Sequence, residues 1–343
     1  MKRHFIKIIL IIVGVFLLLP VFLPKDPFSK EEVLFKIEKG QGSRDIAMAL
    51  ERKGLVSWGP IFRIYVLTVG VSNKLQAGEY SLSPSMNMPG IAAKLARGEV
   101  LKEKITIIEG WNLRDVGFYF ENKGMFQAEE VWEAAGFPAI DYRQALDLPL
   151  PVDFSDKYEF LKEKPDWVGL EGYLFPDTYE IKKGATVLEI IEKQLANFEK
   201  KITPEMEQEI GKQGKTLFEI ITMASLIEKE VRSLDDKKIV SGIFSKRIKQ
   251  GYPLQSCASI AYITGIAKFR YSFEETRVES PFNTYLYYGL PPGPVSNPGL
   301  DSIMAAIYSK ESPYFYYLST PEGETIFSRT LAEHNSAIEK YLK

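Results

Sequence analysis

The first pattern along the chain is a long apolar run near its N-terminus. Residues 5–23 are apolar apart from Lys7, and about 19 such residues approach the ~20 that a helix needs to cross a bilayer. Basic residues in the preceding segment, 1–4, predict a cytoplasmic N-terminus. A cleaved signal peptide is the alternative, but the run ends without the small residues of a cleavage site. We therefore expect a single-pass anchor in the cytoplasmic membrane, a linker over 24–33 and an extracytoplasmic remainder.

Two stretches of the next hundred residues share a strand–glycine–helix pattern at an offset of 70 residues. Ile37–Ile46 reads IEKGQGSRDI and Ile107–Val116 reads IIEGWNLRDV. In each copy a short β-like run (Phe35–Ile37, Ile105–Ile108) meets a glycine turn, and an amphipathic helix then ends at Gly54 or Gly124. Between the copies we expect a helix over Ile61–Val69, a strand over Ala77–Ser81 and a helix over Met88–Leu95. The pattern predicts a small α+β module with related halves over residues 34–150.

A turn-rich, charged stretch over 145–167 indicates a domain boundary. It predicts a second domain over residues 151–343, of mixed α+β structure. The complete chain is thus expected to be an α+β protein behind one N-terminal transmembrane helix.

One carboxylate in the second domain interrupts an apolar stripe. Thr216–Ser233 has helical periodicity, and four apolar residues lie within about 60° of Glu228 on the helical wheel. Glu230 falls on the opposite, wet face. A carboxylate desolvated by apolar neighbours has a raised pKa, which suits a general acid. Alternatively, Glu228 lies at the edge of the stripe and pairs with Arg232 one turn later.

Three segments combine aromatic residues, amides, hydroxyls and prolines. They are Gly169–Ile181, Leu254–Tyr262 and Pro281–Gly299. Prolines restrict their own φ and the preceding residue, so the last of these is long yet stiff. Such loops suit a glycan, whose rings stack and whose hydroxyls form hydrogen bonds. A packed hairpin and simple connecting loops are the alternatives.

Composition narrows the possible classes of function. Lys and Arg total 43 against 45 for Asp and Glu, a net charge of −2, which argues against a nucleic-acid binder. The single cysteine, Cys257, excludes an intrachain disulfide and a cysteine-based zinc site. His4 and His334 lie at opposite ends of the chain, so a histidine-rich metal centre is not expected. We expect neither a metal nor an organic cofactor.

Five separated motifs resemble the YceG-like family of endolytic murein transglycosylases. They are LEGYLFPDTYEI (170–181), ASLIEKEV (224–231), LQSCASIAY (254–262), NTYLYYGLPPGPVSNPG (283–299) and FSRTLAEHN (327–335), in the family's order. TIIEGWNLRDV (106–116) and LQAGEY (75–80) extend the resemblance towards the anchor. The chain departs from the pattern at Cys257-Ala258, where the family leads us to expect an acidic residue. A carboxylate role at that position is therefore in doubt.

The resemblance implies a LysM-like subdomain over 34–150, a catalytic domain over 151–343 and catalysis by Glu228. In the reaction it implies, Glu228 protonates the bridging oxygen of a MurNAc–GlcNAc bond. The same carboxylate then takes the proton of the muramyl C6 hydroxyl as it closes on C1. The product is a 1,6-anhydromuramyl end within a nascent strand, and cleavage would terminate glycan elongation. Peptidoglycan synthases, the penicillin-binding proteins, are the expected partners.

Motif membership and side-chain chemistry suggest the residues that hold the sugar. The candidates are Gln255, Ser256, Asn283, Thr284, Tyr285, Glu171, Tyr179 and Asn297. Two other functions remain open. One is a hydrolase that uses Glu171 or Asp177 as a second carboxylate. The other is a non-catalytic scaffold that binds the wall and recruits synthases.

Overall fold

The computed structural model describes residues 19–268 and 270–342, and the chain divides into two compact units. The first runs to Ile105 and includes Glu180–Ala185, and the second comprises Thr106–Tyr179 and the chain from Thr186 onwards. Most of the predicted anchor lies outside the described residues. Within residues 19–268 and 270–342, no helix is long and apolar enough to cross a membrane.

The first unit packs three helices against a two-stranded antiparallel ribbon. Its elements are β1 (Val33–Ile37), α1 (Ser43–Arg52), α2 (Gly59–Thr68), β2 (Gly78–Leu82) and α3 (Met88–Arg97). Phe35 of β1 lies opposite Tyr80 of β2, and both side chains are buried in the core of this unit. The predicted strand and two helices between the repeat copies are confirmed within a few residues at each end.

The remaining elements are mostly helical. They are β3 (Lys102–Thr106), α4 (Leu113–Asn122), α5 (Ala128–Ala135), β4 (Thr178–Lys182), α6 (Val187–Lys201), α7 (Pro204–Lys212), α8 (Leu217–Glu228), α9 (Leu234–Lys249), α10 (Cys257–Thr264), α11 (Leu300–Ile307), β5 (Tyr316–Ser319), β6 (Thr325–Ser328) and α12 (Leu331–Tyr341). Strand β3 pairs with β4, and β5 forms an antiparallel hairpin with β6. Helices α8, α9 and α11 pack together. The mixed α+β class is confirmed.

The repeat is present in the structure as two strand–glycine–helix segments. Helices α1 and α4 have the same length, and their bounds differ by the 70 residues of the sequence offset. The turn glycines Gly40 and Gly110 have φ of 83° and 78°, and Gly54 and Gly124 after the helices have φ of 73° and 66°. Glycine reaches this left-handed region without the steric penalty of a side chain.

The two copies belong to different compact units. The division falls between Ile105 and Thr106, whereas the sequence suggested a boundary near residue 150. Helix α4 packs on α5, where the Trp132 indole donates to the Leu113 carbonyl at 2.8 Å. The second copy therefore folds with the helices that follow it. The LysM-like assignment stays a prediction.

Helix α8 is a buried helix that ends earlier than its periodicity predicts. Thr216 caps its start with the reciprocal Glu219 bonds of a capping box, and every residue from Ile220 to Ile227 is buried. The helix stops at Glu228, and Ser233 caps the next helix by accepting from the Asp236 amide. The expected extension to Ser233 is therefore wrong.

The shorter helix changes the environment of Glu230. Its carboxylate lies in the turn between α8 and α9 and accepts a hydrogen bond from the Ser256 hydroxyl. Burial raises the pKa of Glu230, while hydrogen bonds from Ser256 and Tyr317 oppose the rise. The prediction that Glu230 lies on a wet helix face is wrong.

Candidate active site

Glu228 is the last residue of α8, and both of its carboxylate oxygens are bound. Oε1 accepts from Lys237 Nζ at 3.1 Å, and Oε2 accepts from the Gly299 amide at 2.8 Å. The side chains of Glu228 and Lys237 are only 8% and 5% exposed. The charged partner of Glu228 is thus Lys237 rather than Arg232, which is exposed.

These contacts correct the reason for which the sequence selected Glu228. The carboxylate was expected among apolar neighbours, where its neutral form would be favoured. An ammonium and an amide N–H instead form charge-assisted hydrogen bonds, which are strongest to an ionised carboxylate. The present geometry is that of a carboxylate oriented by one donor on each oxygen.

Gly299 supplies its N–H because it is the N-cap of α11. The first amides of a helix have no intrahelical acceptor, and the helix dipole adds partial positive charge at that end. The N-terminal end of α11 thus presents to Glu228 a backbone N–H that has no acceptor within the helix. Lys237 reaches the same carboxylate from the first turns of α9.

A second carboxylate, Glu109, lies against the same glycine. A Cβ on Gly299 would collide with the Glu109 carboxyl group, so a side chain there is excluded unless Glu109 moves. Because Glu228 is bonded to the amide of that residue, the two carboxyl groups lie within about 8 Å of each other. Partial burial raises the pKa of Glu109, and the charge of Glu228 raises it further.

Sequence reasoning missed Glu109, Lys237 and Gly299. A comparison of the repeat copies carried one signal for Glu109, since the first copy has Lys39 where the second has this acid. Proximity to Glu228 could not be read from the sequence, because the three residues come from distant segments.

Asn297 joins the loops on which these groups depend. Its side-chain Oδ1 accepts from the amides of Gly172 and Leu174, each at 3.0 Å. Its Nδ2 donates to the Trp111 carbonyl at 3.0 Å and to Glu171 Oε1 at 3.3 Å. The backbone adds a bond from the Gly110 amide to the Asn297 carbonyl at 2.9 Å. The segments before Gly299 and after Glu109 are therefore fixed to each other.

Comparison with known proteins gives the family. The model of the YceG-like family matches residues 35–340, which is most of the chain. The chain belongs to the YceG-like family.

Named relatives and a solved structure agree with this membership. An endolytic murein transglycosylase of Bacillus subtilis (strain 168) is 32% identical over 335 residues, covering 97% of this chain and 91% of the relative. One from Streptococcus pneumoniae serotype 2 is 31% identical over 336 residues, covering 93% of this chain and 60% of the relative. The crystal structure of a yceG-like protein from Listeria monocytogenes is 30% identical with a TM-score of 0.58, covering 90% of this chain and 99% of that one.

The two carboxylates that a hydrolase was expected to use beside Glu228 have hydrogen-bond partners of their own. Glu171 is 4% exposed, and its Oε2 accepts from the Leu113 amide at 3.0 Å. Burial raises the pKa of Glu171 to about 8. Asp177 accepts from the Thr178 amide at 2.7 Å and from Asn197 Nδ2 at 3.0 Å. The carboxylate that shares Gly299 with Glu228 is Glu109.

Most of the predicted sugar-binding side chains are buried and bonded to the protein itself. This group comprises Ser256, Asn283, Thr284, Glu171, Tyr179 and Asn297. Asn283, for example, donates to the carbonyls of Thr276 and Val278, and the Tyr179 hydroxyl donates to the Phe175 carbonyl. Their hydrogen-bonding capacity is used within the fold, so the geometry favours a role in shaping the loops.

Gln255 and Tyr285 are more accessible, and a sugar contact stays a prediction for them. Gln255 is exposed with φ of 53°, and its backbone N–H donates to the Thr284 carbonyl at 3.0 Å. Tyr285 is half-buried, with its hydroxyl 3.2 Å from Cys257 Sγ. Burial raises the pKa of the Cys257 thiol.

No cluster of three or more His, Cys, Asp or Glu side chains suited to a metal ion occurs in residues 19–268 and 270–342.

Proposed function

We propose that this chain is a peptidoglycan lytic transglycosylase that cleaves the MurNAc–GlcNAc bond within glycan strands. The observation that carries the proposal is the Glu228 carboxylate, held by Lys237 and by the Gly299 amide at the N-terminus of α11. Family membership and the names of the relatives support the same reaction class.

The chemistry transfers the muramyl C1 from one oxygen to another. The bond from C1 to the GlcNAc oxygen breaks, and a bond from the C6 oxygen of the same muramyl residue to C1 forms. The GlcNAc oxygen takes up a proton as its bond to C1 breaks, and Glu228, oriented by its two donors, accepts the C6 hydroxyl proton. No water is consumed, and the tethered hydroxyl has the entropic advantage of an intramolecular nucleophile.

Internal cleavage of this kind would end a growing strand with a 1,6-anhydromuramyl group. We propose that the protein acts on nascent strands beside peptidoglycan synthases. The apolar run at residues 5–23 supports a membrane anchor with the unit containing Glu228 outside the cell.

The test uses the purified full-length chain, uncrosslinked glycan strands and mass spectrometry of the products. Muropeptides one water lighter than hydrolytic products are expected from the natural chain and not from Glu228→Gln. Glu121→Gln is the matched control, because this acid is exposed on α4. Ordinary reducing ends would instead identify a hydrolase. Absence of cleavage, together with full activity of Glu228→Gln in cells, would identify a scaffold.

A further inference from the structure

The resting contacts of Glu228 leave one proton of the reaction without a source. The departing GlcNAc oxygen must be protonated as its bond to C1 breaks. Glu228 has one oxygen on an ammonium and the other on an amide N–H, both of which are donors. With both oxygens accepting hydrogen bonds, Glu228 has no proton to donate when the reaction begins. The proton therefore has a better source in a neighbouring group that can be neutral.

Glu109 has the position and the surroundings for that source. It shares Gly299 with Glu228, and the residue is exposed. Within residues 19–268 and 270–342 no hydrogen bond or ion pair holds its carboxyl group, so a neutral form loses no such contact. Its own loop is fixed, because the following residue, Gly110, bonds to Asn297 and accepts at 3.0 Å from Lys229 Nζ.

We propose that Glu109 is a second catalytic residue of this site, the general acid that complements Glu228 as general base. The inference rests on the proposed transglycosylase function. The Glu109 carboxyl proton goes to the GlcNAc oxygen as the bond to C1 breaks. The C6 oxygen bonds to C1, and its proton goes to Glu228. Glu109 ends ionised and Glu228 neutral, and proton exchange with solvent restores the starting state.

The charged groups around Glu109 support this division of roles. Partial burial raises the pKa of Glu109, and the negative charges of Glu228 and Asp301 act in the same direction. Lys237 acts in the opposite direction but is bonded to Glu228. One proton leaves Glu109 and one reaches Glu228, so the total number of protons on the two carboxyl groups is unchanged by the reaction.

The test distinguishes the general acid from the general base with two substrates, of which only one has a leaving group that must be protonated. Glu109→Gln, Glu228→Gln and the control Glu121→Gln are compared as full-length proteins on glycan strands. The same proteins are assayed on a dinitrophenyl β-glycoside of GlcNAc–MurNAc with a free C6 hydroxyl. Dinitrophenolate departs as an anion and needs no acid. Glu109→Gln should lose about 100-fold or more on strands and stay near the natural rate on the aryl glycoside.

Glu228→Gln should lose activity on both substrates, since both need the C6 hydroxyl deprotonated. The rate at which the natural chain cleaves strands should fall at high pH as Glu109 ionises. The pH profile of Glu109→Gln should not show this fall. Thermal unfolding checks that each variant is folded.

Natural activity of Glu109→Gln on strands would overturn the inference, as would equal losses on both substrates in a folded protein. Hydrolytic ends from the natural chain would instead overturn the proposed function, so the two failures are distinguishable.

Discussion

Asn297 binds the Trp111 carbonyl twice, through its backbone amide at 2.7 Å and its side-chain Nδ2 at 3.0 Å. One carbonyl thus fixes both the position and the side-chain orientation of Asn297. With Oδ1 on two further amides, the side chain closes a network between three loops.

Removal of the Asn297 side chain should destabilise the protein strongly. Asn297→Ala leaves the buried amides of Gly172 and Leu174 without acceptors, and each unpaired group costs about 1–3 kcal/mol. We expect the free energy of unfolding to fall by about 2–5 kcal/mol in urea denaturation. Asn122→Ala, on the exposed end of α4, is the control and should change it by less than about 0.5 kcal/mol. Similar changes in the free energy of unfolding for the two variants would contradict a stabilising role for this network.

Gly299→Ala should impair catalysis while leaving the fold intact. Gly299 has φ of −73°, which any residue adopts, but its new Cβ would displace the Glu109 carboxyl group. A shift of about 1 Å in a reacting group lowers rates by about 100-fold, so a loss of that size is expected on glycan strands. Gly211→Ala in α7 is the control, because its Cβ would meet open space. An active Gly299→Ala enzyme would argue against Glu109 in the reaction.

Lys237→Met should destabilise the protein because it leaves Glu228 buried without its ammonium partner. Loss of one member of a buried pair costs about 3–5 kcal/mol, whereas the exposed Arg232→Met should have little effect. Adding Glu228→Gln to Lys237→Met should recover much of the loss. The double-mutant cycle is measured by denaturant unfolding. Additive effects would contradict direct coupling.

Glu171 should make stability depend on pH. Its pKa is about 8 in the folded chain, well above the ordinary glutamate value, so the folded state holds the proton more tightly than the unfolded state. The raised pKa of Glu171 contributes to the free energy of unfolding, and this contribution is complete below the unfolded pKa. It is lost as the pH rises towards 8, by up to about 1.4 kcal/mol per pH unit. The unfolding free energy of the natural chain, measured from pH 5 to 8, should therefore fall relative to that of Glu171→Gln. An equal dependence of the unfolding free energy on pH in the two proteins would contradict a raised pKa of Glu171.

Helical periodicity singled out Glu228 as a candidate, and its catalytic role stays a prediction. The apolar stripe did not indicate its charged partner, Lys237. The sequence could not place the end of α8, because a local side-chain cap at Ser233 ends the periodic pattern. It also could not place Glu109 beside Gly299, a relationship made by tertiary packing. Polar motif residues such as Asn297 suggested sugar contacts, which stay a prediction. In the fold the Asn297 side chain bonds the backbone of Gly172, Leu174 and Trp111.

The late position of Gly299 in the chain affects when the site can exist. During synthesis Glu109 emerges first and Glu228 later, but the amide that binds Glu228 comes from a residue near the C-terminal end. A nascent chain that ends between residues 237 and 299 has both acids and Lys237 but lacks the Gly299 amide. In the proposed mechanism, the site is therefore complete only once the segment that contains Gly299 has been synthesised and folded.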